Sequence, residues 1–237
     1  MRVVINHLTR MHGAHICVAG VDVETRRHVR PIVAEGNMPF YLLARYGGPF
    51  DLARIVDLGS PRATPQPPHV EDHVFVHSRA RWERSVTAAE FWGLLEEVSS
   101  ASLREIFGEA LRPLGRSRYG TDEGKGPASL GCLRPHGPPE LYLTTGPDRR
   151  PRIRIRFGDA QIAVDAGVTD LRLYAADHAT PEAAVVQAVA RWLGDSAGVV
   201  LGVGLTRKYR PAQTQPFAHW LQVNNIHLKE DPAWQLG

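Results

Sequence analysis

The first third of the chain alternates short apolar runs with polar connectors that contain glycine or proline. Residues 3–8 and 16–21 are rich in β-branched side chains, and the basic connector between them contains Gly13. Two such runs joined by a short glycine-containing link predict a β-hairpin. A turn and a third strand follow within 23–32. This region therefore predicts a meander or a small barrel.

The period of the apolar positions changes in the middle of the chain. The run at 87–98 has helical spacing, and Thr87 with Glu90 forms the pattern of a capping box. Segment 112–127 is rich in glycine and charge and predicts a linker or mobile loop. The other elements predicted here are strands at 55–58 and 70–77 and a helix at 102–111.

Apolar runs typical of strands resume at Leu130, and Pro181 and Gly194 bound a predicted helix over 181–193. The predicted strands of this half lie at 141–144, 153–157, 162–164, 171–174, 199–205 and 220–228. Several strands, one helix and two final strands is the element order of an OB-fold. The first half fits the same plan more loosely.

The predicted fold class is mainly β with a few helices (α+β), built as two OB-like small β-barrels. We place the first barrel at 1–80 and the second at 128–237. A helical bridge with a glycine-rich loop at 81–127 is expected to join them.

Composition narrows the class of protein. The chain has 237 residues, 43% of them hydrophobic and 22% charged, which is ordinary for a globular protein. Cys17 and Cys132 form no disulfide framework and predict thiols in a reducing compartment. The N-terminus lacks a signal-peptide pattern, and no apolar stretch approaches membrane-spanning length, so we expect a cytoplasmic protein without membrane contact.

The net charge of +3 and the pI of about 9.1 are compatible with an acidic partner but do not require one. The positions of the charges are therefore more informative than their sum. The triplet Leu-Thr-Arg occurs at 8–10 and at 205–207, each time after an apolar run. Neither 1–21 nor 198–229 contains a carboxylate. The residues predicted at the two hairpin tips are Arg10, His12 and His15 on the first, and Arg207, Lys208, Tyr209 and Arg210 on the second.

Cations that meet phosphates, together with an aromatic ring that stacks on bases, are typical of an oligonucleotide-binding loop. In an OB-fold, the loops between strands one and two and between strands four and five bind oligonucleotides, and the predicted tips occupy these positions. The alternative is that both are ordinary solvated hairpin tips.

Arg152, Arg154 and Arg156 alternate with apolar residues and share one face of a predicted strand, with guanidinium groups about 6–7 Å apart. A sugar-phosphate backbone could follow such a ladder. The alternative is that carboxylates on neighbouring strands neutralise it, with Asp159, Asp165 and Asp170 as the candidates. A third basic cluster contains Arg26, Arg27, His28 and Arg30.

Catalytic motifs are not found in the sequence. Segment 120–125 resembles a phosphate-binding loop, but its glycines are one residue too close and Gly126 replaces the required Ser or Thr. No G-x-S-x-G motif occurs. The histidines at 7, 12, 15 and 28 match no standard metal-site spacing, so we predict no metal and no other cofactor.

Two longer segments resemble a known family. The first is Leu8-Thr9-Arg10-Met11 followed by 15–22 and 26–31, and the second is 204–207 followed by 219–227. Both are similar to the opening and closing signatures of the prokaryotic dual OB-fold domain family. The resemblance implies two OB barrels, nucleic-acid binding, and a setting in defence or other conflict systems beside partner effectors. It implies no catalytic residue.

The sequence therefore predicts a nucleic-acid-binding module, for single-stranded or structured DNA or RNA, without catalysis of its own. The alternative is a protein-interaction adaptor that recruits an effector protein. A metal-dependent nuclease comes third, because the basic hairpins lack the clustered carboxylates that hold catalytic metals. The predicted nucleic-acid-binding residues are Arg10, His12, His15, Arg26, Arg27, Arg30, Arg152, Arg154, Arg156, Arg207, Lys208, Tyr209 and Arg210.

Overall fold

Two β-sheets and three α-helices form the computed structural model, which describes residues 1–13, 15–210 and 216–235. The strands of the first sheet are β1 (Arg2–Arg10), β2 (His15–Asp22), β3 (His28–Ile32), β4 (Met38–Pro39), β5 (Arg54–Asp57), β6 (Arg62–Ala63), β7 (Asp72–Val74) and β8 (Arg81–Ser85). Those of the second are β9 (Ser99–Ser100), β10 (Arg112–Pro113), β11 (Tyr119–Asp122), β12 (Leu130–Leu133), β13 (Glu140–Thr145), β14 (Pro151–Gly158), β15 (Ala163–Val168), β16 (Val199–Leu205) and β17 (Ala218–Leu228). The helices are α1 (Ala88–Glu97), α2 (Leu103–Phe107) and α3 (Ala183–Asp195).

The second sheet has the predicted element order. Its spatial order is β13-β14-β15-β17-β16-β12-β9, with β15 and β17 parallel. Helix α3 lies in the chain between β15 and β16, the third and fourth of the five strands β13 to β17. This is the position of the helix in an OB-fold.

The first sheet runs β6-β7-β3-β2-β1-β5-β8, with β4 added on β2 and with β3 and β7 parallel. In both sheets the two end strands of the path do not pair with each other in the described part of the chain. The prediction of two small barrels is therefore corrected to two open sheets, while the mainly β class is confirmed.

Three predicted elements differ from the structure. The helix expected over 102–111 ends at Phe107, because Gly108 follows with a φ of 70°. The predicted linker 112–127 contains the hairpin β10–β11, and β11 pairs with β17. The strand expected at 171–174 is instead a single 3-10 turn that the side chain of Asp170 caps.

Helix α1 lies across both sheets. Thr87 and Glu90 form the predicted capping box at its start. Its buried Phe91 and Leu95 belong to a core cluster that includes Val4 of the first sheet and Val200 of the second. Strand β8 and strands β9 to β11 belong to the sheets themselves, so the sheets extend into the segment predicted as a bridge. Within the residues described, no helix combines the length and the apolar character that crossing a bilayer requires.

The two halves meet where β1 passes β17. The carboxamide of Asn225 accepts a hydrogen bond from the backbone N–H of Leu8 at 2.7 Å and donates to the carbonyl of Leu8 at 3.4 Å. The backbone N–H and the carbonyl of Leu8 are thereby both satisfied by one side chain of the other half. This contact fixes the two strands relative to each other.

Each of these strands carries a β-bulge beside the contact. The pairing of β1 with β2 shifts register at Asn6, and the pairing of β16 with β17 shifts at Asn224. A bulge inserts one residue and redirects the neighbouring side chains. Both faces of β1 are covered by core clusters, so the strand buries side chains continuously from residue 3 to residue 9, without the alternation of a one-sided strand.

His178 forms a second contact between the halves. It belongs to the C-terminal half, and its buried ring packs against Phe40, with ring centroids 3.9 Å apart. Nη2 of Arg45 lies 2.6 Å from its Nε2. Arg10 donates a hydrogen bond to its carbonyl oxygen at 3.4 Å. Burial and the nearby Arg45 guanidinium lower the pKa of His178 from 6.5 to about 4.

We expect His178 to make the fold acid-sensitive. Between about pH 6.5 and about pH 4 the unfolded chain binds a proton at this residue and the folded chain does not. The free energy of unfolding should therefore fall as the pH drops through this window, by about 3 kcal/mol at its lower end. Urea unfolding of wild type and His178→Gln, near neutral pH and near pH 4, measures the effect. An equal pH dependence in both proteins would contradict this assignment.

Candidate nucleic-acid interface

A groove of about 910 Å³ lies between the tips of the β1–β2 and β16–β17 hairpins. Residues 9–12 and 205–209 line it from the two hairpins, so both halves contribute to it. Strand β14 adds Arg152 and Arg154, and strand β17 adds Trp220. We call this feature the hairpin groove.

The lining of the hairpin groove is strongly basic. Among its lining residues only Asp165 carries a carboxylate. The lining cations are Arg10, Arg30, Arg118, Arg152, Arg154, Arg207 and Lys208. Five of these cations form ion pairs with carboxylates, whereas Arg10 and Arg118 have none within ion-pairing distance among the described residues. The groove therefore attracts anions mainly through its unpaired cations.

The groove contains eight of the predicted binding residues and leaves out five. Those that line it are Arg10, His12, Arg30, Arg152, Arg154, Arg207, Lys208 and Tyr209. Those outside its lining are His15, Arg26, Arg27, Arg156 and Arg210. Two hairpins far apart in sequence thus lie beside one groove.

Asp72 joins cations from the two halves. Its Oδ1 accepts from Nε of the buried Arg30 at 2.6 Å, and its Oδ2 pairs with Nη2 of Arg207 at 2.8 Å. The preceding residue, Glu71, accepts from the backbone and side chain of Ser129. These buried carboxylates position the groove wall and hold β7 against β12.

The arginine ladder on β14 alternates as predicted, with Ile153 and Ile155 buried on the opposite face. Each ladder arginine pairs with an acid: Arg152 with Asp148 at 3.1 Å, Arg154 with Asp165 at 2.8 Å, and Arg156 with Glu140 at 3.0 Å. The structure therefore shows the alternative in which carboxylates neutralise the arginine ladder.

Only one of the three candidate acids, Asp165, is the partner of a ladder arginine. Asp159 instead accepts from the backbone N–H of Leu103 at the start of α2. Asp170 pairs with Arg172 and accepts from the backbone N–H of Ile226.

Tyr209 is exposed, with 58% of its surface accessible. Its backbone N–H and carbonyl both bond to Ala218, and its carbonyl also accepts from Nε1 of Trp220 at 3.1 Å. The backbone is therefore fixed while the ring is open to a ligand. Beside it, the guanidinium of Arg210 lies 4.8 Å above the ring of Phe217. The remainder of this tip, 211–215, lies outside the described residues.

The third basic cluster is divided. Arg30 is buried at the groove, whereas Arg26 and Arg27 are exposed in the turn between β2 and β3. Arg26 pairs there with Glu97 of α1 at 3.2 Å. His15 is half-buried, and its Nδ1 lies 3.3 Å from the carbonyl oxygen of His12.

Several residues that line the groove are not among the binding residues predicted from the sequence. Trp220, Gln222 and Asn224 alternate along β17, and this period of two was a usable signal for one face of a strand. Arg118 lies in the segment predicted to be a linker and gave no such signal.

The sequence predicts no metal ligands, whereas the structure brings two of the four histidines together. His7 and His28 meet Cys132 of the second half, with one ligand atom of each within 4.8 Å of the others. His12 lies at the hairpin tip and lines the groove instead. The sequence could not indicate this cluster because Cys132 is contributed by β12 of the other half.

Two sheets, a helix in the OB position and a basic groove between paired hairpins define a β-rich module of the OB type. The family model of the Dual OB-containing domain matches residues 1–226, and the chain belongs to that family. Neither a curated protein nor a solved structure matches the chain significantly.

We expect Asp72→Ala to destabilise the protein by about 3–5 kcal/mol, because it leaves the buried Arg30 without its counter-charge. Glu123→Ala is the matched control, since it also removes one carboxylate that pairs with a groove cation, here Lys208, but at an exposed site. Its cost should stay below about 1 kcal/mol. Urea denaturation measures both, and equal losses would show that Asp72 is not a structural clamp.

Proposed function

We propose that the protein is a nucleic-acid-binding module whose hairpin groove holds single-stranded or structured DNA or RNA, without catalysis of its own. The observation that carries the proposal is the convergence of seven cationic side chains, contributed by both halves, on a groove lined by one carboxylate. A phosphate backbone is the polymeric anion that fits an extended basic groove.

The ion pairs of the groove leave cations available to phosphate. Arg152, Arg207 and Lys208 all have about half of their side-chain surface exposed. The pairs of Arg152 and Lys208 are exposed on both sides and contribute less than about 1 kcal/mol, so a phosphate can replace the carboxylate at small cost. The partner of Arg207, Asp72, is buried. Within the described residues, Arg10 and Arg118 have no carboxylate partner within ion-pairing distance.

Aromatic rings supply the second component of binding. Tyr209 is open to solvent, and the partly exposed Trp220 lines the groove next to it. Bases stack on such rings with little sequence preference, because every base has a π-face. The proposed ligand is therefore a strand with accessible bases, bound by phosphate contacts and by stacking.

We also propose a cytoplasmic setting in a prokaryotic defence system, in which the module serves an effector protein. Support for the setting comes from the resemblance of the two hairpin signatures to the dual OB-fold domain family. The two cysteines, Cys17 and Cys132, are free thiols, which suits a reducing compartment.

A protein-interaction adaptor is the second candidate, and strand β8 favours it. All five residues of β8 are exposed, including Trp82, and β8 is the end strand of its sheet. An exposed edge strand with an aromatic side chain is a typical site for adding a strand from a partner. Electrophoretic shift of the purified chain with single-stranded DNA, duplex DNA and RNA separates the two functions.

We expect Tyr209→Ala to weaken oligonucleotide binding by about 1–3 kcal/mol through loss of stacking, while the melting temperature stays unchanged. Tyr41→Ala is the matched control, because Tyr41 is equally exposed but lies outside the groove lining. One thermal melt and one titration of each variant test this. Unchanged affinity in a stable Tyr209→Ala protein would count against this loop as a binding site.

We expect log affinity for a single-stranded oligonucleotide to fall linearly with log salt, by about 0.7 for each phosphate neutralised. The double variant Arg207→Ala/Lys208→Ala should flatten this slope by about 1–1.5 units. Arg26→Ala/Arg27→Ala removes the same charge outside the groove and should leave the slope nearly unchanged.

The outcomes of this comparison separate three models. Equal slopes in the two double variants would show that the groove is not the binding path. No measurable binding of the wild type to any of the oligonucleotides would favour the adaptor. Cleavage of a bound oligonucleotide in the presence of a divalent ion would contradict the non-catalytic part of the proposal.

A further inference from the structure

The interface between the halves contains a buried cluster of three potential metal ligands. His7 of β1, His28 of β3 and Cys132 of β12 each place one ligand atom within 4.8 Å of the others. His7 and Cys132 are 1% and 0% exposed, and His28 is half-buried at the start of its strand. Two of the ligands belong to the first sheet and one to the second.

One measured distance within the cluster is that of two ligands on one tetrahedral ion. Sγ of Cys132 lies 3.7 Å from Nε2 of His28. A thiolate and an imidazole on one zinc ion are about 3.6 Å apart, from bond lengths of about 2.3 and 2.05 Å. The ring centroids of His7 and His28 are 5.5 Å apart, and two imidazoles on one tetrahedral ion place them about 5 Å apart.

Two polar atoms at the cluster have no protein partner. Nε2 of His7 and Oδ1 of Asn6 are both buried and make no hydrogen bond. The Asn6 amide belongs to the cluster, because its Nδ2 lies 3.3 Å from Sγ of Cys132 and 3.5 Å from Nε2 of His28. Leaving buried polar groups unpaired is costly, so these atoms indicate a missing ligand.

The contact at Nδ1 of His7, the ring nitrogen that would not bind the ion, suits a metal-ligating histidine. Its Nδ1 lies 3.3 Å from the carboxamide of Asn224. When the oxygen of this carboxamide faces the ring, Nδ1–H donates to it, and Nε2 carries a free lone pair. The oxygen of Asn224 accepts a hydrogen bond from Nε2 of Gln222 at 2.9 Å, so this tautomer requires both carboxamides to turn together, which keeps the hydrogen bond between them.

Two features of the backbone allow the side chains of the cluster to come close together. The bulge at Asn6 redirects the side chains of β1 at this point. Gly202 of β16 allows the approach of His7, since a Cβ at this position would lie 3.0 Å from Cε1 of the ring. The cluster therefore depends on two local features of the strands that carry the family signatures.

We propose that His7, His28 and Cys132 bind one zinc ion, with the Asn6 carboxamide oxygen or a water molecule as the fourth ligand. A thiolate with two neutral imidazoles is a donor set that zinc prefers, and tetrahedral coordination is its usual geometry. Binding replaces the S–H bond of Cys132 with a metal–sulfur bond, and the thiol proton leaves to solvent. The three ligands lie outside the lining of the hairpin groove, although Asn224 both lines the groove and contacts His7, and the proposal does not rest on nucleic-acid binding.

A zinc ion must displace the proton that the Cys132 thiol carries, because metal ligands bind in their deprotonated form. The bound ion would cross-link β1 and β3 to β12, and thus fasten one half to the other.

The experiment measures metal in the tag-free full-length protein purified under reducing conditions. We expect elemental analysis to find about one zinc per chain. Stripping with a chelator should lower the melting temperature, and re-adding zinc should restore it, because a ligand of the folded state stabilises that state. Cobalt added to the stripped protein should give a thiolate-to-cobalt charge-transfer band and intense tetrahedral d–d bands.

Cys132→Ala tests the ligand assignment, with Cys17→Ala as the matched control. Cys17 is the other cysteine of the chain and lies outside the cluster. Cys132→Ala should lose the cobalt charge-transfer band and reduce bound zinc at least about tenfold, whereas Cys17→Ala should match the wild type. If Cys132→Ala fails to fold, the cobalt spectrum of the wild type still decides.

Three results would overturn the proposal. The first is a wild-type protein without metal that shows no thiolate band on adding cobalt. The second is a folded Cys132→Ala protein that binds zinc as the wild type does. The third is copper in place of zinc in the purified protein, which would show that the site selects a different ion.

Discussion

The hairpin groove and the His7–His28–Cys132 cluster both lie at the interface between the halves, where β1 is held against β17. A strand buried on both faces cannot leave its peptide groups to water, so a side chain must satisfy those that no neighbouring strand pairs. Asn225 does this for Leu8, donating to its carbonyl and accepting from its N–H. One side chain thus makes the hydrogen bonds that a neighbouring strand would otherwise make and helps to join two sheets that share no strand.

The hairpin groove follows from this contact. Once Leu8 is held against β17, the residues after it, including Arg10, continue past the second sheet, and the backbone N–H of Arg10 donates to the carbonyl of Thr169. The tip of the β1–β2 hairpin therefore lies beside the start of the β16–β17 hairpin, and cations from both halves line one groove. The ion pair of Asp72 with Arg207 then fixes its far wall.

Features that depend on local patterns were predictable from the sequence, and features that depend on contacts between the halves were not. The capping box of Thr87 and Glu90 and the two hairpins are local and are confirmed. The bulge at Asn6 changes which side chains share a face, which breaks the period of two on which strand predictions rest. The Arg207–Asp72 pair joins residues that only the tertiary fold brings together.

The pairing of the cations determines what kind of binding the groove can support. A free guanidinium gains the full attraction of a phosphate, whereas Arg152 or Lys208 must first leave a carboxylate. The net free-energy gain per contact is the difference between the free energies of two exposed ion pairs, and this difference is small in water. The affinity of such a groove comes from the number of contacts, from counterion release and from stacking. None of these distinguishes one base from another, so the paired arginines favour a module that recognises the form of a nucleic acid more than its sequence.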